Sequence, residues 1–202
     1  MIYNANLYYR ILVSIGIVIF SLQIFIKDFS FDLSLLTIIS SSAGITLILD
    51  LIVIKVFLWK LCPDLFYTLK LINTPFLGGE WEGIMKSDYI DPDTQKRVDE
   101  MQVRLQILHT FDRIHVKMTT DKAYSSSHSA DVTTENSEQK YLNYIYSGIA
   151  DKNKEKNPRH YGASRLRILF EEEIFLEGTY WTDRKTAGTV VYSRKTKKSS
   201  KN

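Results

Sequence analysis

The chain has 202 residues, 45% of them hydrophobic and 24% charged, and a formal net charge of +3. That charge is too small and too dispersed to mark a nucleic-acid surface, so no nucleic-acid polymer is expected as a partner. Cys62 is the single cysteine, which excludes an intramolecular disulfide and suits a reducing compartment.

Hydrophobicity is concentrated before Cys62. Residues 11–26 are uncharged and apolar, Tyr8 and Tyr9 precede them as interfacial anchors, and counting from Leu7 gives roughly the twenty residues that cross a bilayer core. Arg10 would also suit a signal peptide, but no small-x-small cleavage site follows Ile26; Lys27, Asp28 and Phe29 do. A second apolar segment covers 33–61. The reading is a two-helix transmembrane hairpin over 1–62, with spans at about 8–26 and 33–55, and a linker over 63–75. Ser40, Ser41, Ser42, Ala43 and Gly44 are small residues of the kind that let membrane helices approach closely. Lys55 lies near the end of its span and can snorkel. Asp50 either faces another helix or a water-filled space, or marks a shallow helix end with the span covering about 33–49. Arg10 on one flank and Lys55, Lys60 and Lys70 on the other, against Lys27, Asp28 and Asp32 in the connector, put both termini on the cytosolic side of an inner membrane.

From 76 onward the sequence reads as strand, turn, strand. Met101, Val103, Leu105 and Ile107 alternate with polar residues, as do Ile114, Val116 and Met118. Strands are expected at 79–87, 101–107, 114–118, 123–134, 141–149, 161–170, 174–182 and 186–194, with a polar connector at 151–157. The fold class is an N-terminal two-helix transmembrane hairpin followed by an all-β, roughly eight-stranded antiparallel up-and-down barrel over 76–196 and a basic tail over 197–202. A two-sheet sandwich is the alternative.

Gly79, Trp81 and Gly83 open the first strand on one face, and Trp81 reads as a plug for one barrel end, with Arg194 or Arg184 stacked on its ring. His109, His115, His128 and His160 are scattered, and no metal site or cofactor is expected. Glu171, Glu172 and Glu173 sit at a turn and read as solvated. Hydrolase, phosphate-loop and dinucleotide-fold motifs are all missing, so no enzyme is expected. Ser125, Ser126, Ser127 and Ser129 make a polar strand, exposed on both sides or lining a polar cavity beside Tyr141, Asn143, Tyr144 and Tyr146. Aromatic rings and charge-assisted donors are what hold a nucleotide.

The last hairpin puts Ile174, Leu176, Gly178, Tyr180 and Thr182 on one side and Phe175, Glu177, Thr179 and Trp181 on the other. Asp183, Arg184 and Lys185 reverse the chain. Hydroxyls, an Arg and a Lys at one corner either hold a phosphate or form a solvated tip. Gly178 and Gly188 flank it, marking bends or places where something approaches the backbone.

The run Leu-Glu-Gly-x-Tyr-Trp-Thr-Asp-Arg-Lys-Thr-x-Gly at 176–188 resembles the C-terminal signature of the two-transmembrane β-barrel effectors of bacterial cyclic-oligonucleotide-based antiphage signalling systems (CBASS). The likeness takes in the membrane hairpin, Gly79-Glu80-Trp81-Glu82-Gly83, the Ser-rich strand and His160-Tyr161-Gly162. It implies a cytosolic barrel that binds a cyclic di- or trinucleotide made by a cognate nucleotidyltransferase. It further implies a homo-oligomer on activation and disruption of the inner membrane. The binding positions it suggests are Tyr180, Thr182, Arg184, Lys185 and Thr186, with His160 and Tyr161. The residue chemistry adds Ser125, Ser127 and Tyr144. Other readings are a lipocalin-like carrier of an apolar ligand and a structural partner-binding domain.

Overall fold

A computed structural model describes residues 3–26, 33–90, 95, 100–121, 123–136, 138–150, 159–170 and 173–195. The expectations for the 27–32 connector, the 151–157 connector, Glu171, Glu172 and the 197–202 tail lie outside these residues. The chain forms two compact units, Met1–Phe76 and Leu77–Asn202.

In the first unit, α1 covers Ala5–Ile26. The second helix starts as α2 (Leu33–Ile48), becomes π-helical over Leu49–Leu58 and ends as α3 (Trp59–Leu61). Ala5–Ile26 and Leu35–Leu61, of 22 and 27 residues, are long and apolar enough to cross a bilayer. The second helix therefore continues through both Asp50 and Lys55 to Leu61, the end of the apolar segment, and Asp50 does not mark a helix end. Asp50 is tolerated because its own hairpin satisfies it. Lys55 Nζ lies 2.9 Å from Asp50 Oδ2, and the Tyr8 hydroxyl donates to Asp50 Oδ1. The five-residue spacing of the ion pair matches the i→i+5 repeat of the π-helix. Farther along the hairpin, Ser41 Oγ donates to Gln23 Oε1 at 2.6 Å, and Gly16 packs at Thr46, where an added Cβ would stand 3.4 Å from its hydroxyl.

Pro63 breaks the second helix and starts α4 (Pro63–Thr68). Lys70, at φ 56°, closes it: Leu71 N–H donates to Phe66 O at 2.9 Å and Lys70 N–H to Tyr67 O at 3.0 Å, the paired bonds of a Schellman motif. Asn4 N–H then donates to Leu71 O at 2.8 Å, and Tyr3 bridges Ile72, so the start of α1 is strapped to the segment after α4.

The second unit is a closed barrel of β1 (Gly79–Ser87), β2 (Met101–His109), β3 (Ile114–Thr119), β4 (Ala123–Glu135), β5 (Gln139–Ala150), β6 (His160–Phe170), β7 (Ile174–Thr182) and β8 (Ala187–Arg194). Each strand pairs antiparallel with the next, and β1 pairs with β8 to close the ring. This is the up-and-down barrel expected, and the sandwich is excluded. Period-two alternation sends Val103, Leu105, Leu142, Leu166, Leu176 and Val190 inward, all buried. β8 begins one residue later than expected. Thr182 N–H donates to Thr186 O at 2.9 Å and the two hydroxyls pair at 2.7 Å, so Thr186 belongs to the turn.

One barrel end is filled. Trp81 is fully buried there and its indole N–H donates to Leu77 O at 3.1 Å. Leu77 N–H donates in turn to His109 Nδ1 at 3.1 Å. The Arg194 guanidinium lies 5.0 Å from the Trp81 ring centroid and donates to Gly78 O at 3.3 Å. Of the two arginines considered for this stack, Arg194 supplies it.

Candidate functional site

The opposite end of the barrel is lined by hydroxyls and rings. Tyr180 comes from β7, Tyr144 and Tyr146 from β5, His160 from β6 and Ser87 from the end of β1. Tyr180 is 9% exposed and donates through its hydroxyl to Ser87 Oγ at 2.6 Å. The Tyr144 and Tyr146 rings lie 5.8 Å apart, and Tyr146 meets His160 edge-on at 6.5 Å. Tyr192, from β8, lies beneath them and donates to Met118 Sδ at 3.4 Å.

Glycines decide how these rings lie. Tyr146 sits opposite Gly162, Tyr180 opposite Gly188 and His160 opposite Gly148 across the strand pairs. A Cβ at Gly162 would stand 2.5 Å from Tyr146 Cζ, one at Gly188 2.6 Å from Tyr180 Cε1, and one at Gly148 2.5 Å from His160 Cε1. The rings are therefore laid over bare backbone, an aromatic–glycine pairing that covers the glycine. What approaches the backbone at Gly188 is the protein's own Lys86 carbonyl and Tyr180 ring.

The electrostatics favour donors. Burial pushes the Tyr144 hydroxyl up to about 12, against hydrogen bonds with Ser164 and Tyr192 that pull it down. Burial also raises Tyr146, Tyr180 and Tyr192, and neighbouring tyrosines raise Tyr146 and Tyr192 further. These hydroxyls stay protonated at physiological pH; the O–H of Tyr180 is held by Ser87 Oγ and that of Tyr192 by Met118 Sδ, while Tyr146 can offer its O–H to an anion. Asp183 contributes to the rise at Tyr146 and Asp88 to that at Tyr180, so carboxylates stand near the same end.

The structure gathers some of the expected positions here and separates others. Tyr180, Tyr144 and His160 are brought together, and Thr182 and Thr186 form the adjoining hydroxyl pair. Arg184 is half-buried in the turn, its backbone N–H reaching Thr182 Oγ1 at 3.3 Å, and Lys185 is exposed with φ 61°. Ser125 is buried on the inner face. Ser127 is also buried, but its hydroxyl accepts from Val116 N–H at 2.9 Å and pairs with His115 Nδ1 at 3.2 Å. It closes a gap: among the described residues β3 and β4 pair only from Lys117↔Ser126 to Thr119↔Tyr124. Tyr161 faces outward, 51% exposed, against His128 at 6.2 Å. Tyr141 and Asn143 also face outward, Tyr141 under Arg165 at 4.2 Å. The Ser-rich strand thus alternates, Ser125 and Ser127 inward and Ser126 outward to His115 Nε2 at 3.1 Å.

Ser87, Tyr146 and Tyr192 belong to this lining although the expected site residues omit them. Period two on β5 placed Tyr146 beside Tyr144; the cross-barrel neighbours Ser87 and Tyr192 carried no such signal. A separate groove of about 450 Å³ lies on the outer wall, lined by Tyr141, Arg165, Arg167, Glu177 and Thr179 among others. Its arginines are matched, Arg165 to Glu135 at 2.6 Å and Arg167 to Glu177 at 3.3 Å.

Residues 72–194 match the family model described as Cap15, cyclic dinucleotide receptor domain. The match takes in every strand of the barrel. CD-NTase-associated protein 15 of Staphylococcus schleiferi is 30% identical over 115 residues, which is 56% of this chain and 58% of that protein. The alignment thus spans less than two thirds of that relative.

Proposed function

Since this chain belongs to the Cap15 cyclic dinucleotide receptor family, we propose that its barrel binds a cyclic di- or trinucleotide at the end opposite Trp81. The observation that carries the reading is the lining of that end. Tyr146 and His160 offer rings for a base, and the Tyr146 hydroxyl with the Thr182–Thr186 pair offers hydrogen bonds to phosphodiester oxygens. Arg184 and Lys185 at the turn add charge for an anion approaching from solvent. Carriage of an apolar ligand in the manner of lipocalins is less well supported, because the apolar part of the interior is filled by side chains and the remaining end is polar.

The nucleotide is taken to come from a cognate nucleotidyltransferase, and the protein acts as receptor and effector in one chain. Ala5–Ile26 and Leu35–Leu61 span the inner membrane with the barrel and both termini cytosolic, ligand binding promotes homo-oligomerisation, and the gathered spans break the membrane. Binding does this only through a difference in affinity between the dispersed and assembled states.

The test is thermal unfolding of the full chain in detergent with cyclic di-AMP, cyclic di-GMP, cyclic AMP–GMP, cyclic UMP–AMP and cyclic tri-AMP, each against its linear form. A true ligand at about 100 times its dissociation constant adds roughly 2.7 kcal/mol. The expected result is stabilisation by one or a few cyclic species. No shift with any of them, together with a shift on adding a fatty acid, would replace this reading with the carrier.

A further inference from the structure

We propose that α4 is an interfacial anchor, lying in the surface of the bilayer with Leu61, Leu65 and Leu69 turned into the acyl region. Leu65 and Leu69, the latter at the C-cap, are four apart and share one side of α4, and Leu61 ends the helix before the Pro63 break. Leu61, Leu65 and Leu69 are 61%, 47% and 54% exposed.

The adjoining face of α4 is already used. Phe66 is buried against Trp59, ring centroids 5.5 Å apart, and Leu71 and Ile72 are buried after it. The Schellman closure at Lys70 and the Asn4–Leu71 hydrogen bond fix the chain's path, so α4 cannot roll over to hide the leucines within its own unit.

Continuity identifies the occupant as lipid. Leu51, Ile52, Val56 and Phe57 of the second helix are bare, as is Leu61 at its end, and the apolar surface continues past the Pro63 break onto Leu65 and Leu69. The residues around the break have the make-up of a membrane–water boundary. Tyr9, 56% exposed, supplies an amphipathic ring of the kind that collects at headgroup depth, and the exposed Arg10, Lys60 and Lys70 supply cations for anionic headgroups. Asp64 and Thr68, one step round from the leucines, are exposed and polar, and Thr68 Oγ1 donates to Asp64 O at 3.0 Å. A helix with that division lies along an interface.

Cys62 is the sole cysteine, so Cys62→Ser gives a clean background for single-site labelling. Asp64→Cys, Leu65→Cys, Thr68→Cys and Leu69→Cys would each carry a nitroxide in the full chain, reconstituted into vesicles of phosphatidylethanolamine and phosphatidylglycerol. Collision with oxygen, which partitions into lipid, is compared with collision with a water-soluble nickel chelate. The proposal expects an oxygen-to-nickel ratio several-fold higher at 65 and 69 than at 64 and 68. Equal, nickel-favouring ratios at all four sites would overturn it in favour of a solvated linker. Protection of 65 and 69 from both reagents, with spectral broadening that vanishes on dilution with unlabelled protein, would overturn it in favour of a second copy on this face.

Discussion

His109 shows how one buried side chain ties barrel stability to pH. Burial lowers its pKa from 6.5 to about 4, and its neutral Nδ1 accepts the Leu77 N–H. The unfolded chain takes up a proton near 6.5, while the folded barrel resists until about 4. In that window the unfolded state binds more protons, so stability is fullest above it and drains away as pH falls through it. The urea midpoint of the barrel should therefore drop between pH 7 and pH 5, and His109→Gln should flatten the drop. At the two ends of the barrel, Trp81→Ala and Arg184→Ala should part company. Loss of the plug should cost about 3–5 kcal/mol of stability. Loss of Arg184 should leave the melting temperature near its original value and weaken cyclic-nucleotide binding by about 1.5–3 kcal/mol, the range of a charged hydrogen bond. An Arg184→Ala protein that melts early but binds normally would move Arg184 from the proposed site to the frame. Trp81 was legible because a Gly-x-Trp strand start and a nearby Arg are local features. Tyr161 shows a limit that period two had already set: adjacent to His160 in one strand, it cannot share His160's face.

At the level of elements, the strand positions could be read because alternation runs between turn signals, broken in β4 by a register shift between Ser127 and Ser129. The register between strands could not, and register is what lays Tyr146, Tyr180 and His160 over glycines. Gly148 gives the sharpest test of that arrangement. The three atoms nearest a Cβ there all belong to the His160 ring, whereas at Gly162 and Gly188 a backbone oxygen is among them. Gly148→Ala should therefore push the imidazole off the wall at little cost to folding, and weaken ligand binding measurably by calorimetry. Adding His160→Ala should remove the effect of the Gly148 change, because nothing is left to displace. Unchanged affinity in Gly148→Ala would place His160 outside the proposed site. The π-helical stretch was invisible for a different reason: no sequence period announces it, and it is stabilised by the Asp50–Lys55 pair and by Tyr8 from another helix.

For the whole molecule, orientation and assembly each have a direct test. A reporter fused after Asn202 should be cytosolic and one inserted within 27–32 periplasmic; a periplasmic C-terminus would sink the sensor reading. The hairpin also refines which small residue to alter. Ser41 holds Gln23 within the hairpin, and Ser42 is buried with its hydroxyl on Ile38 O. Gly44 has open space where a Cβ would go. Gly44→Leu should keep insertion and ligand binding yet reduce dye influx in cells making the nucleotide, since a bulky side chain there obstructs only a neighbour. Full permeabilisation by Gly44→Leu would exclude this face from assembly.

A closed ring has no free edge, but it can still have a weak stave. β3 registers with β4 over a short ladder, extended by a serine hydroxyl on Val116 N–H, whereas β4 and β5 pair along most of their length. Thermal fluctuations should therefore split the wall first between β3 and β4, exposing the interior sideways without unfolding the strands opposite. In native-state hydrogen exchange, the amides of Ile114–Thr119 should open at a lower free energy than those of β5, and Ser127→Ala should lower it further. A molecule sealed inside would then have a lateral exit, and its residence time would be set by the seam as much as by its contacts.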